Sequence, residues 1–337
     1  MNNKLPKQVQ LSHGGGGKEM NALIHKLFFT AFDNPILSSE EDAATIELNG
    51  LTAFTTDSFT VSPLFFSGGD IGKLAVAGTV NDLAMMAAKP QYLSCSFIIE
   101  EGFAIDDLTT IVESMAKELT ASGATIVCGD TKVVPKGCAD GIFINTSGVG
   151  KILQQGISTS NLQTDDVIIV SGDIGRHGAT VLMAREGLTL ESELTSDCAT
   201  LWPLVESLIN AKIPLHSMRD ATRGGLAAVL NEWANASEVG IKIYEDAIPV
   251  TDEVKGLCEL YGFEPFDLAN EGTCIFALPS EYAEQALTLI KQHQPGKNAA
   301  VIGKVTQDHN GKVILETPWG SCRYVDLPQG ELLPRIC

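Results

Sequence analysis

The sequence predicts an α/β protein of two domains, on three observations. Helix-like and strand-like segments alternate along the chain. At 337 residues the chain exceeds what one core fills, since single cores stop growing near roughly 250–300 residues. A polar stretch over residues 154–165, rich in Ser, Thr, Asn and Gln, interrupts the pattern near the middle.

The elements follow in order. Residues 19–31 place Met20, Leu23, Ile24, Leu27, Phe28 and Ala31 on one helical face. Leu51 to Thr56 reads as a strand running into Asp57, and 73–88 as a helix apolar nearly all round, hence buried. A β-rich segment spans 92–100. The clearest amphipathic helix covers 107–122 and closes at Gly123, and strands are expected at 124–128 and 142–149. Beyond the linker, strands are expected at 167–171, 241–244, 273–278, 299–304 and 312–315, and helices at 176–186, 198–211, 223–236 and 280–293. From Thr317 the pattern decays, and the last ten residues carry turn formers without a period, which predicts a mobile tail. The expected division is therefore residues 1–153, 166–316 and a tail over 317–337.

Composition excludes several functions. Acids outnumber bases 42 to 23, a formal charge of −19, which argues against general binding of nucleic acid or an anionic membrane. No apolar run approaches the roughly 20 residues of a membrane span, and the first residues lack a signal-peptide core. Eight cysteines without a C-x-x-C pair suit a reducing cytoplasm. Seven of them read as small buried hydrophobes; the eighth, Cys337, ends the chain.

Carboxylates at the edges of regular elements are the first candidates for chemistry. They are Asp42, Asp57, Asp130 and Asp220, together with Asp82, which lies inside the apolar helix. A buried acid is costly without a partner, and acids converging from several elements can hold Mg²⁺ beside substrate phosphates. Each also has an ordinary reading. Asp220 can be a helix N-cap, and Asp57 and Asp130 can be turn formers. The run His13 to Lys18, with Gly15 and Gly16, offers free backbone N–H groups, a helix start and the Lys18 cation. That suits a phosphate, although the spacing is not that of a Walker A loop. Lys73, opening the apolar helix, and Thr131 with Lys132 beside Asp130 add further cations and a hydroxyl. Arg223 is another candidate cation, with a surface ion pair as its alternative. Glu271, before an apolar strand, can serve as a general base if partly desolvated, or simply occupy a turn. The tail around Cys337 is apolar and kinked, so its thiol can enter an active site; it does not form a prenylation motif.

Read together, the segments Thr55-Thr-Asp-Ser, Pro63-Leu-Phe-Phe, Gly68-Gly-Asp-Ile-Gly-Lys-Leu-Ala-Val, Gly78-Thr-Val-Asn-Asp-Leu-Ala, Gly129-Asp-Thr-Lys-Val-Val, Asp220-Ala-Thr-Arg-Gly-Gly, Ala269-Asn-Glu-Gly and the terminal Pro334-Arg-Ile-Cys resemble the HypE family of hydrogenase maturation factors over the whole chain. Ser67 and Ala87 depart from the family, whose members often carry proline and glycine there. The resemblance implies the two-domain fold of the ATP-dependent synthases related to aminoimidazole ribonucleotide synthetase, thiamin-monophosphate kinase and selenophosphate synthetase. It implies a homodimer of N-terminal domains with ATP bound near the interface. It also implies that Cys337 is an acceptor thiol, carbamoylated by HypF, whose carboxamide is dehydrated with ATP to a thiocyanate. The cyano group then passes to iron on a HypC–HypD complex for [NiFe]-hydrogenase. On that pattern Asp57, Asp82, Asp220 and Asp42 hold Mg²⁺. Lys73, Asp130, Thr131, the Gly15–Lys18 loop and Arg223 face the nucleotide, and Glu271 and Lys132 join Cys337 in catalysis.

Overall fold

The computed structural model describes residues 5–39, 43–187, 193–328 and 333–337, so Asp42 lies outside the described residues. The first domain opens with helix α1 (Lys18–Leu23), which continues as a π-helical segment over Ile24–Phe29. It then runs β1 (Thr52–Phe59), the short pair β2 (Phe65–Phe66) and β3 (Gly69–Asp70), α2 (Ile71–Met85), β4 (Ala88–Glu100), α3 (Ile105–Ser122), β5 (Thr125–Val134) and β6 (Ile142–Ile152). Four strands form one sheet in the order β1-β6-β4-β5, antiparallel except for the β4–β5 pair.

One face of this sheet is covered by α2 and α3 and supplies the core through Phe59, Leu93, Phe97, Ile99 and Ile144. Alternate residues face away from it, and there Phe54 is 71% exposed and Ile98 45%. Helix α2 is buried nearly all round, as its composition predicts. Its N-cap Asp70 accepts from the N–H groups of Gly72 (2.7 Å) and Lys73 (3.0 Å) and from the Ser114 hydroxyl (2.5 Å). Ala87 just beyond the helix has φ +49°, the left-handed region that favours glycine.

The second domain runs β7 (Asp166–Val170), α4 (Arg176–Glu186), α5 (Trp202–Asn210), β8 (Ser217–Asp220), α6 (Gly225–Ala236), β9 (Gly240–Tyr244), α7 (Asp252–Tyr261), β10 (Cys274–Pro279), α8 (Ala283–Ile290), β11 (Ala300–Thr306), β12 (Val313–Glu316) and β13 (Cys322–Val325). Its seven strands lie in the order β13-β12-β9-β11-β7-β10-β8.

Four expectations need correction. Asp57 and Asp130 sit within β1 and β5, not after them, because the ladders to β6 and β4 carry the strands on. Asp220 is the last residue of β8, paired to Cys274, and α6 starts later behind Gly224, so Asp220 is no N-cap. Folded structure does not end at Thr317: β13 pairs with β12, and the last residues dock against the body of the molecule. Of the seven cysteines expected inside, Cys138 and Cys322 are exposed.

Candidate active site

Helix α2 meets β1 on one side and β8 on the other, and this brings the carboxylates together. Thr55 of β1 donates to Asp82 of α2 at 2.6 Å. Asp57 is pushed up to about 6, first by desolvation and then by the Asp82 charge. Asp220 rises to about 7, by desolvation and then by Asp82 and Asp57. Three carboxylates from three elements thus face one another, with Arg223 as a nearby cation. Among the described residues no group of three or more His, Cys, Asp or Glu side chains is placed so that it could hold a metal ion by itself. Mg²⁺ keeps waters and phosphate oxygens and asks the protein for only one or two carboxylates. The acids fit such a shared ion, because their mutual repulsion is what a cation relieves.

Glu271 stands at the edge of this group. Its side chain is buried and Oε1 has no hydrogen-bond partner. Desolvation first, then Asp220, Asp197 and Asp57, hold its carboxyl well above the usual range. Its backbone is fastened by Asp197, whose carboxylate accepts from the N–H of Glu271 (3.2 Å) and Gly272 (3.1 Å) and from the Thr273 hydroxyl (2.9 Å).

The chain's own end completes the site. The carbonyl of Cys337 accepts from the Thr60 N–H (3.0 Å) and hydroxyl (3.2 Å). Arg335 donates to the Thr60 carbonyl (2.8 Å) and pairs with Asp140. Arg185 donates to the carbonyls of Ser62 and Arg335. Ile336 is only 4% exposed. In this pose the thiol feels the charges of Glu271, Arg223 and Asp57. Burial pushes the thiol up to about 11, the Glu271 charge adding to it and Arg223 opposing.

The expected residues therefore fall into groups. Asp57, Asp82, Asp220, Arg223, Glu271 and Cys337 come together. Asp130 and Lys132 do not join them in this chain. They pair with each other at 2.6 Å on the outward face of β5, in register with Ser96 and Ile98, while Thr131 between them is buried. The glycine segment lies near that second group: Gly14 packs so closely on Val133 that a Cβ would sit 2.6 Å from its backbone nitrogen, and Gly16 has φ +77°. Gly15 turns the chain between them, and Lys18 opens α1 at the surface. A cavity of about 270 Å³ is lined by Met20, Ile24, Phe28, Phe97 and Cys128 and also by Asp130 and Thr131. Lys73 donates to the Gly68 carbonyl at 3.0 Å, at the mouth of another cavity that also contains Asp197. The backbone N–H groups at the start of α2 already serve Asp70, so they offer no cradle for a phosphate.

Sequence reasoning missed Asn81, the neighbour of Asp82. It is buried, donates to the carbonyls of Ala199 (3.0 Å) and Glu271 (3.3 Å), and accepts from the Leu201 N–H (2.7 Å). An amide in an apolar helix was the available signal, since a buried polar group needs partners.

The chain also matches known proteins along nearly its whole length. AIR synthase related protein, N-terminal domain, matches residues 40–152, and AIR synthase related protein, C-terminal domain, matches residues 163–316. The chain is 48% identical to carbamoyl dehydratase HypE of Escherichia coli (strain K12), covering 98% of this chain and 99% of that protein. A crystal structure of hydrogenase maturation protein HypE in complex with ATP superposes with a TM-score of 0.94 at 45% identity, over 97% of this chain and 99% of that one. A HypE-HypF complex structure gives 0.79 at 49% identity, over 91% of this chain and all of that one (100%). Two AIR synthase related domains and near-complete alignment at this identity place the chain in the HypE family of carbamoyl dehydratases, which are enzymes.

Proposed function

We propose that this enzyme dehydrates a carboxamide carried on the sulfur of Cys337 to a thiocyanate, at the expense of ATP, and so supplies cyanide ligands for [NiFe]-hydrogenase iron. The single observation that carries the reading is the seating of the terminal thiol beside a buried carboxyl, an arginine and three clustered carboxylates. An amide oxygen is a poor leaving group. Transfer of the ATP γ-phosphoryl to that oxygen, with loss of one N–H proton, gives an S-bound imidate phosphate. Loss of the second N–H proton then expels phosphate and forms the C≡N bond. The net products are thiocyanate, ADP, phosphate and one proton.

Glu271 is the base. Burial without a partner on Oε1 makes its carboxylate a stronger proton acceptor than a solvated one. Arg223, whose charge opposes the rise of the Cys337 thiol, steadies charge near the reacting carbon. Asp57, Asp82 and Asp220 would hold Mg²⁺, which when bound neutralises phosphate charge. The cavity lined by Met20, Phe28, Phe97, Asp130 and Thr131 has room for the nucleotide base. Asp130 and Lys132 lie on the open sheet face, and pairing of two such faces in a homodimer puts them at the interface where ATP is expected. Lys73 remains a candidate phosphate cation. HypF is the carbamoyl donor and the HypC–HypD complex the acceptor of the cyano group; a HypE-HypF complex among the related structures supports the first of these. The eight free cysteines accord with a cytoplasmic setting.

The test is mass spectrometry of the C-terminal peptide after incubation with HypF, carbamoyl phosphate and ATP. A carboxamide adduct on Cys337, followed by loss of water that depends on ATP, is expected. A thiol that stays unmodified, or dehydration that proceeds without ATP, overturns the reading.

A further inference from the structure

Two groups that the chemistry leaves unused grip the tail from below. His177 lies fully buried in α4, its ring edge-on to Phe66 at 5.3 Å between centroids. Its Nε2 is 2.8 Å from the carbonyl oxygen of Ile336, the residue before Cys337. Its Nδ1 is 2.8 Å from Ser196 Oγ. The same Ser196 oxygen accepts from the N–H of Cys198 at 3.0 Å.

The polarity of this chain has one solution. A carbonyl only accepts, so Nε2 carries the proton. Burial disfavours the imidazolium, so Nδ1 is the lone-pair nitrogen and Ser196 donates to it. The hydroxyl oxygen is then free to receive the Cys198 N–H. Asp197, between Ser196 and Cys198, is the residue that fastens the backbone of Glu271. One short segment, residues 195–198, therefore grips the tail through His177 and the base-bearing turn through Asp197.

We propose that Ser196 and His177 form a latch: Ser196 fixes the imidazole proton on Nε2, and His177 then holds the Ile336 carbonyl so that Cys337 seats in register with Glu271. Both are positioning residues, since neither touches the thiol. The importance of that register rests on the reading of Cys337 as substrate; the latch itself is a statement about the tail. Ser196→Ala removes the donor to Nδ1 and lets the proton move there, which turns a lone pair toward the Ile336 oxygen. Loss of one hydrogen bond of ordinary net worth loosens the tail by about five- to tenfold.

The experiment is alkylation of the full-length protein by iodoacetamide, followed peptide by peptide. In Ser196→Ala and His177→Ala, Cys337 is expected to react about five- to tenfold faster, while the exposed Cys138 and Cys322 keep their rates. His177→Gln, whose amide N–H can reach the same carbonyl, is expected to return Cys337 to within about twofold of the parent rate. The buried Cys274 reports on the fold. Unchanged Cys337 reactivity in Ser196→Ala overturns the latch, as does acceleration matched by Cys274, or a His177→Gln rate equal to that of His177→Ala. The assay needs neither ATP nor a carbamoyl group. Its failure leaves the dehydratase reading intact, and an absent thiocyanate product leaves the latch intact.

Discussion

Asp220 concentrates the conflict between folding and function in this site. Its carboxyl is pushed from an ordinary 3.8 to about 7, so the fold disfavours its ionised form. The sign follows from linkage. The penalty is absent below about pH 4, where folded and unfolded chains are both protonated. It grows as pH rises between the two values and is complete above about 7. Asp220→Asn removes it. The unliganded variant is expected to melt higher than the parent at pH 8, by about 2 kcal/mol and at most about 4, and no higher at pH 4. On the proposed role of Asp220 as a Mg²⁺ ligand, Mg-ATP stabilises the parent more than the variant, which lacks that carboxylate. Calorimetric melts at the two pH values, with and without Mg-ATP, decide it. Equal stability at pH 8 would mean that Asp220 is well solvated and not part of a charged cluster. The residues that make this cluster were legible one at a time in the sequence, Asp82 most plainly, as an acid in an apolar helix. Their convergence was not. It depends on β8 lying against α2, and no local pattern records that contact.

At the scale of elements, α2 is the piece that positions most of the site, and its place is set by a close crossing with α3. A Cβ added at Gly72 would press on the Ile111 carbonyl, sit 2.8 Å from Ile111 Cγ2 and 2.9 Å from Met115 Cγ. Two effects oppose in Gly72→Ala. Helix propensity favours alanine by about 1 kcal/mol, while overpacking against backbone costs about 1–3 kcal/mol. Overpacking wins here because a carbonyl held in a helix cannot swing aside. The variant is expected to lose about 1–2 kcal/mol in urea unfolding and to bind Mg-ATP less well, since α2 carries Asp82. A stabilised variant would refute the close packing. Helix α2 was readable from its apolar composition, and α4 was placed at its observed ends, which Gly175 and Gly187 punctuate. Strands β8 and β13 were missed because they are short and interrupted by charged residues (Arg219 and Asp220, Arg323), unlike the equally short but mainly apolar β12, and α7 because its polar residues mask the buried Val254, Leu257 and Cys258. The tail was misjudged for a different reason: Arg335 and Ile336 are held by Thr60, Asp140 and His177, all distant in sequence.

The whole molecule raises one question that its single chain leaves open, namely what covers the outward face of the N-terminal sheet. Along β1 this face carries Phe54, Thr56 and Ser58, along β4 Ser96 and Ile98, and along β6 Phe143, Asn145 and Val149. Phe54 at 71% and Ile98 at 45% exposure are large apolar groups on a flat, hydrogen-bonded surface that water solvates poorly. The same face carries the Asp130–Lys132 pair, which lies apart from the Asp57, Asp82 and Asp220 carboxylates. The proposed homodimer, formed through this face, would account for both, because it would bury the apolar side chains and make the Asp130–Lys132 edge part of a site shared with the neighbouring protomer. A two-fold interface repeats each substitution on both sides, so one charged residue at its centre is felt twice. Phe54→Glu, on a net charge already at −19, is expected to shift the protein from dimer to monomer in sedimentation velocity at micromolar concentration. ATP turnover should fall at least tenfold in the same preparation. Thr56→Ser, on the same face but nearly isosteric, should leave both unchanged. A Phe54→Glu protein that remains dimeric would assign the face to another partner, and a monomer with full turnover would detach Asp130 and Lys132 from the nucleotide.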